Sequence, residues 1–172
     1  HVRNVRVLPQ YKHALSAKRG GSAKRKQRNL ELAQIRAKGM LKGNENRELL
    51  IALAMLYWAE GSKKVCEFIN SDGEMVKIYL SILRNIIRVP EENIKPTMRI
   101  FTGMSKKEAL YYWTRVTNIP KHRFIIRFND GGFKSKTKYG MCRITIQKGG
   151  NVLKLIHSLI KEISQEFLKE KQ

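Results

Sequence analysis

An α+β domain is the fold class that the hydropathy pattern predicts, on three observations. Apolar residues recur at helical spacing in several stretches, strand-like alternation appears between those stretches, and neither an internal repeat nor a nucleotide-binding glycine fingerprint is visible. The arrangement expected is a set of helices packed on one face of a curved antiparallel sheet. With 172 residues, 42% of them hydrophobic, the chain has material for one core and an appendage.

Residues 1–44 read as the appendage, a basic arm and linker helix. They hold twelve basic residues against one acid, Glu31. Ser16 to Ala23 is polar and glycine-containing, whereas Lys24 to Lys42 has helical character with a thin apolar content of Leu30, Ala33, Ile35, Ala37 and Met40. A solvated linker helix is the alternative reading. Residues 45–172 read as the folded domain. Its first helix, Leu49 to Ala59, is apolar on every side, which suits a helix held between two packed bodies. Glu60 and Gly61 end it, the glycine expected in a left-handed closing position. An acid at a helix C-terminus faces partial negative charge and is disfavoured by about 0.3–1 kcal/mol unless a cation is near.

A strand is expected from Lys64 to Ile69. Ser71-Asp72-Gly73-Glu74 and Ser105-Lys106-Lys107-Glu108 pair a hydroxyl with an acid three residues on, the pattern of a helix start. Asn70, Ser71 and Asp72 are accounted for by capping. The first box opens a helix through about Ile87, with Met75, Ile78, Tyr79, Ile82, Leu83 and Ile86 on its apolar face. The second opens one through about Val116, presenting Ala109, Leu110 and Trp113. A last amphipathic helix, Asn151 to Leu168, offers Val152, Leu155, Ile156, Leu159, Ile160, Ile163 and Phe167. Further strands are expected over Thr97–Phe101, His122–Phe128 and Met141–Gln147.

Side chains alternate across a strand, so each run divides into two faces. Met98 and Ile100 oppose Thr97, Arg99 and Phe101. Phe124, Ile126 and Phe128 oppose Arg123, Ile125 and Arg127. Cys142, Ile144 and Ile146 oppose Arg143, Thr145 and Gln147. One face is thus apolar and the other carries Arg, Thr and Gln, groups that bond base edges and phosphates. A merely solvated outer sheet face alternates in the same way.

Charge sharpens the choice. Thirty-five Lys and Arg against 14 Asp and Glu give a formal net charge of +21, which calls for a polyanionic partner, with nucleic acid ahead of a membrane surface. No apolar run approaches the roughly 20 residues of a membrane span, and no secretory signal is visible. A cytoplasmic protein is expected, nucleoid-associated if the source is microbial. Cys66 and Cys142 fit neither a disulfide framework nor a zinc site and read as buried small hydrophobes. His1, His13, His122 and His157 lack metal-ligand spacing. The start at His1 instead of Met points to a fragment or a processed product.

The string Leu53-Ala54-Met55-Leu56-Tyr57-Trp58-Ala59-Glu60-Gly61 resembles the signature helix of the LAGLIDADG homing endonucleases. Phe68-Ile69-Asn70-Ser71-Asp72, Trp113 and Gly140-Met141-Cys142-Arg143-Ile144 add a resemblance to uncharacterised microbial relatives of that family, in which a helix-turn-helix often precedes a basic arm. Met55 stands where the family carries a small glycine, and Glu60 where Asp is commoner.

The resemblance covers roughly Glu45 to the C-terminus and implies a metal-dependent DNA endonuclease. Glu60 and the Gly61 carbonyl would be metal ligands for Mg²⁺, with Gln147 and Lys148 around the attacking water. One signature helix per chain implies a homodimer through Leu49–Gly61 on near-palindromic double-stranded DNA. The expected DNA contacts are Lys18, Arg19, Lys24, Arg25 and Lys26 of the arm, Lys63, the strand residues Arg99, Arg123, Arg127, Arg143 and Thr145, and Lys134, Lys136 and Lys138 of the loop from Asn129 to Tyr139. A non-catalytic transcription regulator on the same fold and an RNA-binding or intron-splicing factor remain open, as does a plain core helix whose Glu60 is neutralised by Lys63 or Lys64.

Overall fold

The computed structural model describes residues 9–129 and 137–169, with side chains from residue 21 onward except Asn44. In chain order it contains α1 (Pro9–Lys42), α2 (Arg47–Glu60), β1 (Glu67–Asn70), α3 (Gly73–Ile82), β2 (Ile94–Phe101), α4 (Lys106–Thr117), β3 (Ile125–Asn129), β4 (Met141–Ile146) and α5 (Gly150–Lys169). The class is α+β. The four strands form one sheet in the order β1-β4-β2-β3.

The sheet is mixed, which corrects the antiparallel expectation. β4 runs antiparallel to both β1 and β2, but β3 pairs with β2 in parallel. The cause lies in the chain: α4 carries it from the end of β2 back to the start of β3, and a crossover of that kind makes parallel neighbours. β3 begins pairing at Thr97, one residue after Pro96. Proline has no N–H to give a second neighbour, so it suits the last position of β2 that is bonded on one side only.

Asp72, one residue after the expected Ser71, caps α3 by accepting from the Glu74 and Met75 backbone N–H groups. Ser105 caps α4 as expected, accepting from Glu108 N–H. α3 runs into a π-helical turn, Leu83–Ile87, closed by Arg88 in the left-handed region. The widened turn shifts the helical phase, so Ile82, Leu83 and Ile87 are all buried. Val76 and Leu80 are buried on α3 while Ile78 is exposed. Periodicity gave the stripe but not its centre.

The helix α1 starts at Pro9 and passes through Ser16–Ala23, which were expected to be non-helical. Ala, Gln, Lys and Arg are strong helix formers, and together they outweigh the roughly 1 kcal/mol that each glycine costs. Within the basic segment, Ala33, Ala37 and Leu41 are buried against the body, and α1 lies along α5. Residues 21–28 are all exposed. α5 buries Leu155, Ile156, Leu159 and Ile163.

On α2 the buried stripe is Leu50, Leu53, Ala54 and Tyr57, facing α5, α3 and β1. The opposite side of the helix, with Ala52, Met55 and Ala59, is half-buried or exposed, and Leu49 and Trp58 are exposed. Gly61 has φ −83° and ψ 150°, so it is extended and not left-handed. Its need for glycine is one of space: a Cβ there would lie 2.5 Å from the Tyr57 ring and from the Tyr57 carbonyl oxygen. Overpacking of this kind costs about 1–3 kcal/mol. Gly61→Ala is therefore expected to lower stability by about that much in urea unfolding at constant m-value.

Candidate nucleic-acid interface

Cross-strand partners share a face of the sheet, so the register alone sorts the strand residues. Phe68, Ile144, Pro96, Met98, Cys142 and Ile100 are buried in the helix-covered core. The other face is open and forms three rows. Glu67, Thr145 and Lys95 make the first; Ile69, Arg143, Thr97 and Ile125 the second; Met141, Arg99 and Arg127 the third. Phe101 and Asn129 follow beyond the third row. Arg99, Arg127, Arg143 and Thr145 therefore stand together on the open face, as expected.

Arg99 and Arg127 are direct partners on neighbouring strands. Like charges in that position destabilise a sheet unless an anion lies between them. Neither side chain has an ion pair among the described residues. On the β4 side of β2, Gly140, with φ +69°, lets the chain enter β4 close against Arg99, because a Cβ there would lie 2.1 Å from the Arg99 carbonyl oxygen.

Arg143 is held differently. Its Nη1 lies 3.7 Å from Glu67 Oε1, which also accepts a 3.2 Å hydrogen bond from the Thr145 hydroxyl. Two charged open-face residues escaped the sequence reading, Glu67 and Lys95. Lys95 falls in phase with Thr97 and Arg99, but Pro96 hid the true start of β2. For Glu67, splitting the Lys64–Ile69 run into faces was signal enough.

Arg123 corrects the expectation. It sits in a 3-10 turn, Lys121–Arg123, ahead of β3. Its guanidinium donates to the carbonyls of Glu91 (2.6 Å) and Ile94 (2.9 Å) and pairs with the Glu91 carboxylate at 3.3 Å. Phe124 is buried, while Phe128 at the edge strand is 65% exposed instead of core.

Glu60 is exposed at the end of α2 and has no hydrogen bond or ion pair among the described residues, so neither Lys63 nor Lys64 neutralises it. Gly61 bridges Phe68 in an antiparallel contact, so the end of α2 lies against the free edge of β1. The Tyr57 hydroxyl fixes this junction. It lies 2.8 Å from the Ser62 carbonyl and 2.9 Å from the Val65 carbonyl, and it accepts from Glu67 N–H at 3.2 Å. Burial pushes its ionisation well above the usual tyrosine range. Burial also pushes the Cys66 thiol up to about 12, in keeping with a packing residue.

Gln147 and Lys148 do not join Glu60. They follow β4 in a turn, three residues or more past Ile144, which is the β4 residue in the row of Phe68 and Gly61. That is about 10 Å along the strands, with β1 between. The described residues contain no group of three or more His, Cys, Asp or Glu able to hold a metal. One chain thus supplies one free carboxylate at this point, a partial fit to Mg²⁺, which takes one or two protein carboxylates with water and phosphate oxygens.

Of the remaining expected contacts, Lys63 is exposed beside the α2–α5 groove with Trp58 and Lys161, where its charge, after burial, helps lower the pKa of His157. Lys138 lies over the Tyr139 ring, which stacks on Tyr112 of α4. Neither faces the open sheet. Lys24, Arg25 and Lys26 are exposed on α1, and Ala33 is the first buried residue among its described side chains. A groove formed by Asn29, Ala33, Asn151 and Leu155 sets that exposed stretch beside the start of α5, next to the Gln147–Lys148 turn. The side chains of Lys18 and Arg19, and all of Lys134 and Lys136, lie outside the described residues.

No protein-family model, curated protein or solved structure matches the chain.

The role of Arg123 has a measurable consequence. Hydrogen bonds with Arg84 and the charges of Arg84 and Arg123 hold the Glu91 carboxyl below its ordinary range, against a smaller opposing effect of burial. A depressed carboxyl contributes stability above its unfolded value of about 4.3 and loses it as pH falls through the folded value. Arg123→Ala is expected to destabilise by about 1–3 kcal/mol at pH 7. It should also shrink the loss of stability on acidification below about pH 4.3, read as urea midpoints across that range.

Proposed function

We propose that the chain binds double-stranded DNA through the open sheet face, as a LAGLIDADG-type domain acting as a symmetric dimer. The observation that carries this reading is the unpaired Arg99–Arg127 couple on adjacent strands, with Lys95 and Arg143 in neighbouring rows and Glu67 the sole acid there among the described residues. A duplex phosphate backbone relieves the repulsion within that couple and releases counterions. Phe101 is the one aromatic side chain on the open face among the described residues, which favours a duplex over the stacked bases of single-stranded RNA. The exposed basic stretch of α1 extends the footprint along the backbone. Pairing of α2 helices across Ala52, Met55 and Ala59 would cover the apolar side that one chain leaves open and bring two Glu60 carboxylates together. Mg²⁺ held there would supply Lewis-acid chemistry at a phosphodiester.

One observation favours binding without cleavage: Gln147 and Lys148, expected beside Glu60, stand about 10 Å further along the strands with β1 between. Regulation of transcription is the corresponding role. The two roles separate on a duplex chosen by selection from a random pool. If the protein is a nuclease, Glu60→Gln removes Mg²⁺-dependent cutting while affinity stays level or rises; if the wild type leaves its selected duplex intact, the regulator stands.

Binding itself is tested by salt. The logarithm of affinity should fall with the logarithm of salt concentration by about 0.9 for each phosphate contacted, and Arg99→Ala with Arg127→Ala should reduce that slope by up to about 1.8. A flat profile for the wild type contradicts the reading. For the dimer, Ala59→Arg is expected to yield monomers in sedimentation and to weaken duplex binding at least about tenfold, since half of a two-fold contact is lost.

A further inference from the structure

Among the described residues the charged side chains of the open face are basic with one exception, and that exception lies beside one arginine. Glu67 places Oε1 3.7 Å from Arg143 Nη1, and the same oxygen accepts the Thr145 hydroxyl at 3.2 Å. Glu67 backbone N–H is in turn held by the Tyr57 hydroxyl. A carboxylate on a surface that meets phosphates repels them, so its position costs affinity for every duplex alike. What it provides is orientation. An unrestrained arginine on a sheet samples many rotamers, whereas reading guanine needs the guanidinium plane fixed so that two N–H groups meet O6 and N7 together.

Arg143 is half-buried on this face, and its Nε is enclosed without a hydrogen-bond partner. Arg99 and Arg127 have no such support. The face therefore divides into two kinds of arginine, a free couple suited to backbone phosphates and a buttressed one suited to a base edge.

We infer that Glu67 is a positioning residue for base readout: it orients Arg143, with Thr145 steadying the carboxylate, so that each copy of the chain prefers one guanine-containing base pair at a fixed place in its half-site. This rests on the proposed reading of the open face as the DNA-binding surface. The contribution of Glu67 is to specificity and is unfavourable to affinity, a combination that a purely structural ion pair does not produce.

The test uses the full chain and a randomised duplex pool, with bound fragments sequenced for the wild type, Glu67→Gln, Arg143→Ala and the double variant. Glu67→Gln keeps the shape and a hydrogen-bond acceptor for Thr145 while removing the charge. The expected result is a loss of about tenfold in preference at the base position that Arg143→Ala also affects, other positions being retained. Affinity for an unrelated duplex should rise a few-fold. The double variant should discriminate no worse than Arg143→Ala alone. Thr145→Val, which removes just the steadying hydroxyl, is expected to soften the same position and serves as the second variant if Glu67→Gln unfolds. Unchanged preference, or an even loss across all positions, overturns the inference and leaves duplex binding standing. Failure of the wild type to bind any duplex overturns both.

Discussion

The buried hydroxyl of Tyr57 is the constraint on which the candidate interface depends. It reaches from the core side of α2 to the carbonyls of Ser62 and Val65 and to the N–H of Glu67, and so fastens the connection between helix and sheet at both ends. Gly61 can then pass against the Tyr57 ring at a distance no side chain permits. With this junction closed, the C-terminal acid of α2 lies at the free edge of β1 and Glu67 enters β1 in register with Thr145. Without it, neither carboxylate has a defined relation to the arginines.

The second organising feature is the α4 crossover. It sets β3 parallel to β2 and thereby brings Arg127 opposite Arg99, where an antiparallel hairpin would have offered a different partner. The turn at Lys121–Arg123 that leads out of this crossover is secured by Arg123 and Arg84 on Glu91. Two arginines of one short segment, Arg123 and Arg127, thus serve opposite ends: one is consumed by backbone carbonyls and an acid, the other is free. Among the described residues no helix is long and apolar enough to cross a membrane.

In the proposed reading, the electrostatics of that face separate affinity from selectivity. An opposed pair of like charges stores repulsion that any row of phosphates can relieve, and for that reason it is indifferent to sequence. A guanidinium braced by a carboxylate surrenders some attraction and gains a fixed direction. The exposed basic residues of α1 would belong with the first kind, since residues 21–28 are all exposed and the packing of α1 on the body, among the described side chains, begins after them.

The sequence by itself determined the α+β class, the helix starts at the Asp72 region and Ser105, and the apolar stripe of α5. It also determined the alternation that puts Arg99, Arg127, Arg143 and Thr145 on one face. These follow from local chemistry: capping groups sit two or three residues from the N–H groups they bind, and strand side chains alternate whatever their neighbours are. Tertiary structure decided the rest. Parallel pairing of β3, the extended conformation of Gly61, the capture of Arg123 by Glu91 and the distance of Gln147 and Lys148 from Glu60 each depend on which strand lies next to which. That order is fixed by how α2 and α3 pack on β1 and α4 packs on β2, contacts between residues far apart in the chain that no local pattern encodes.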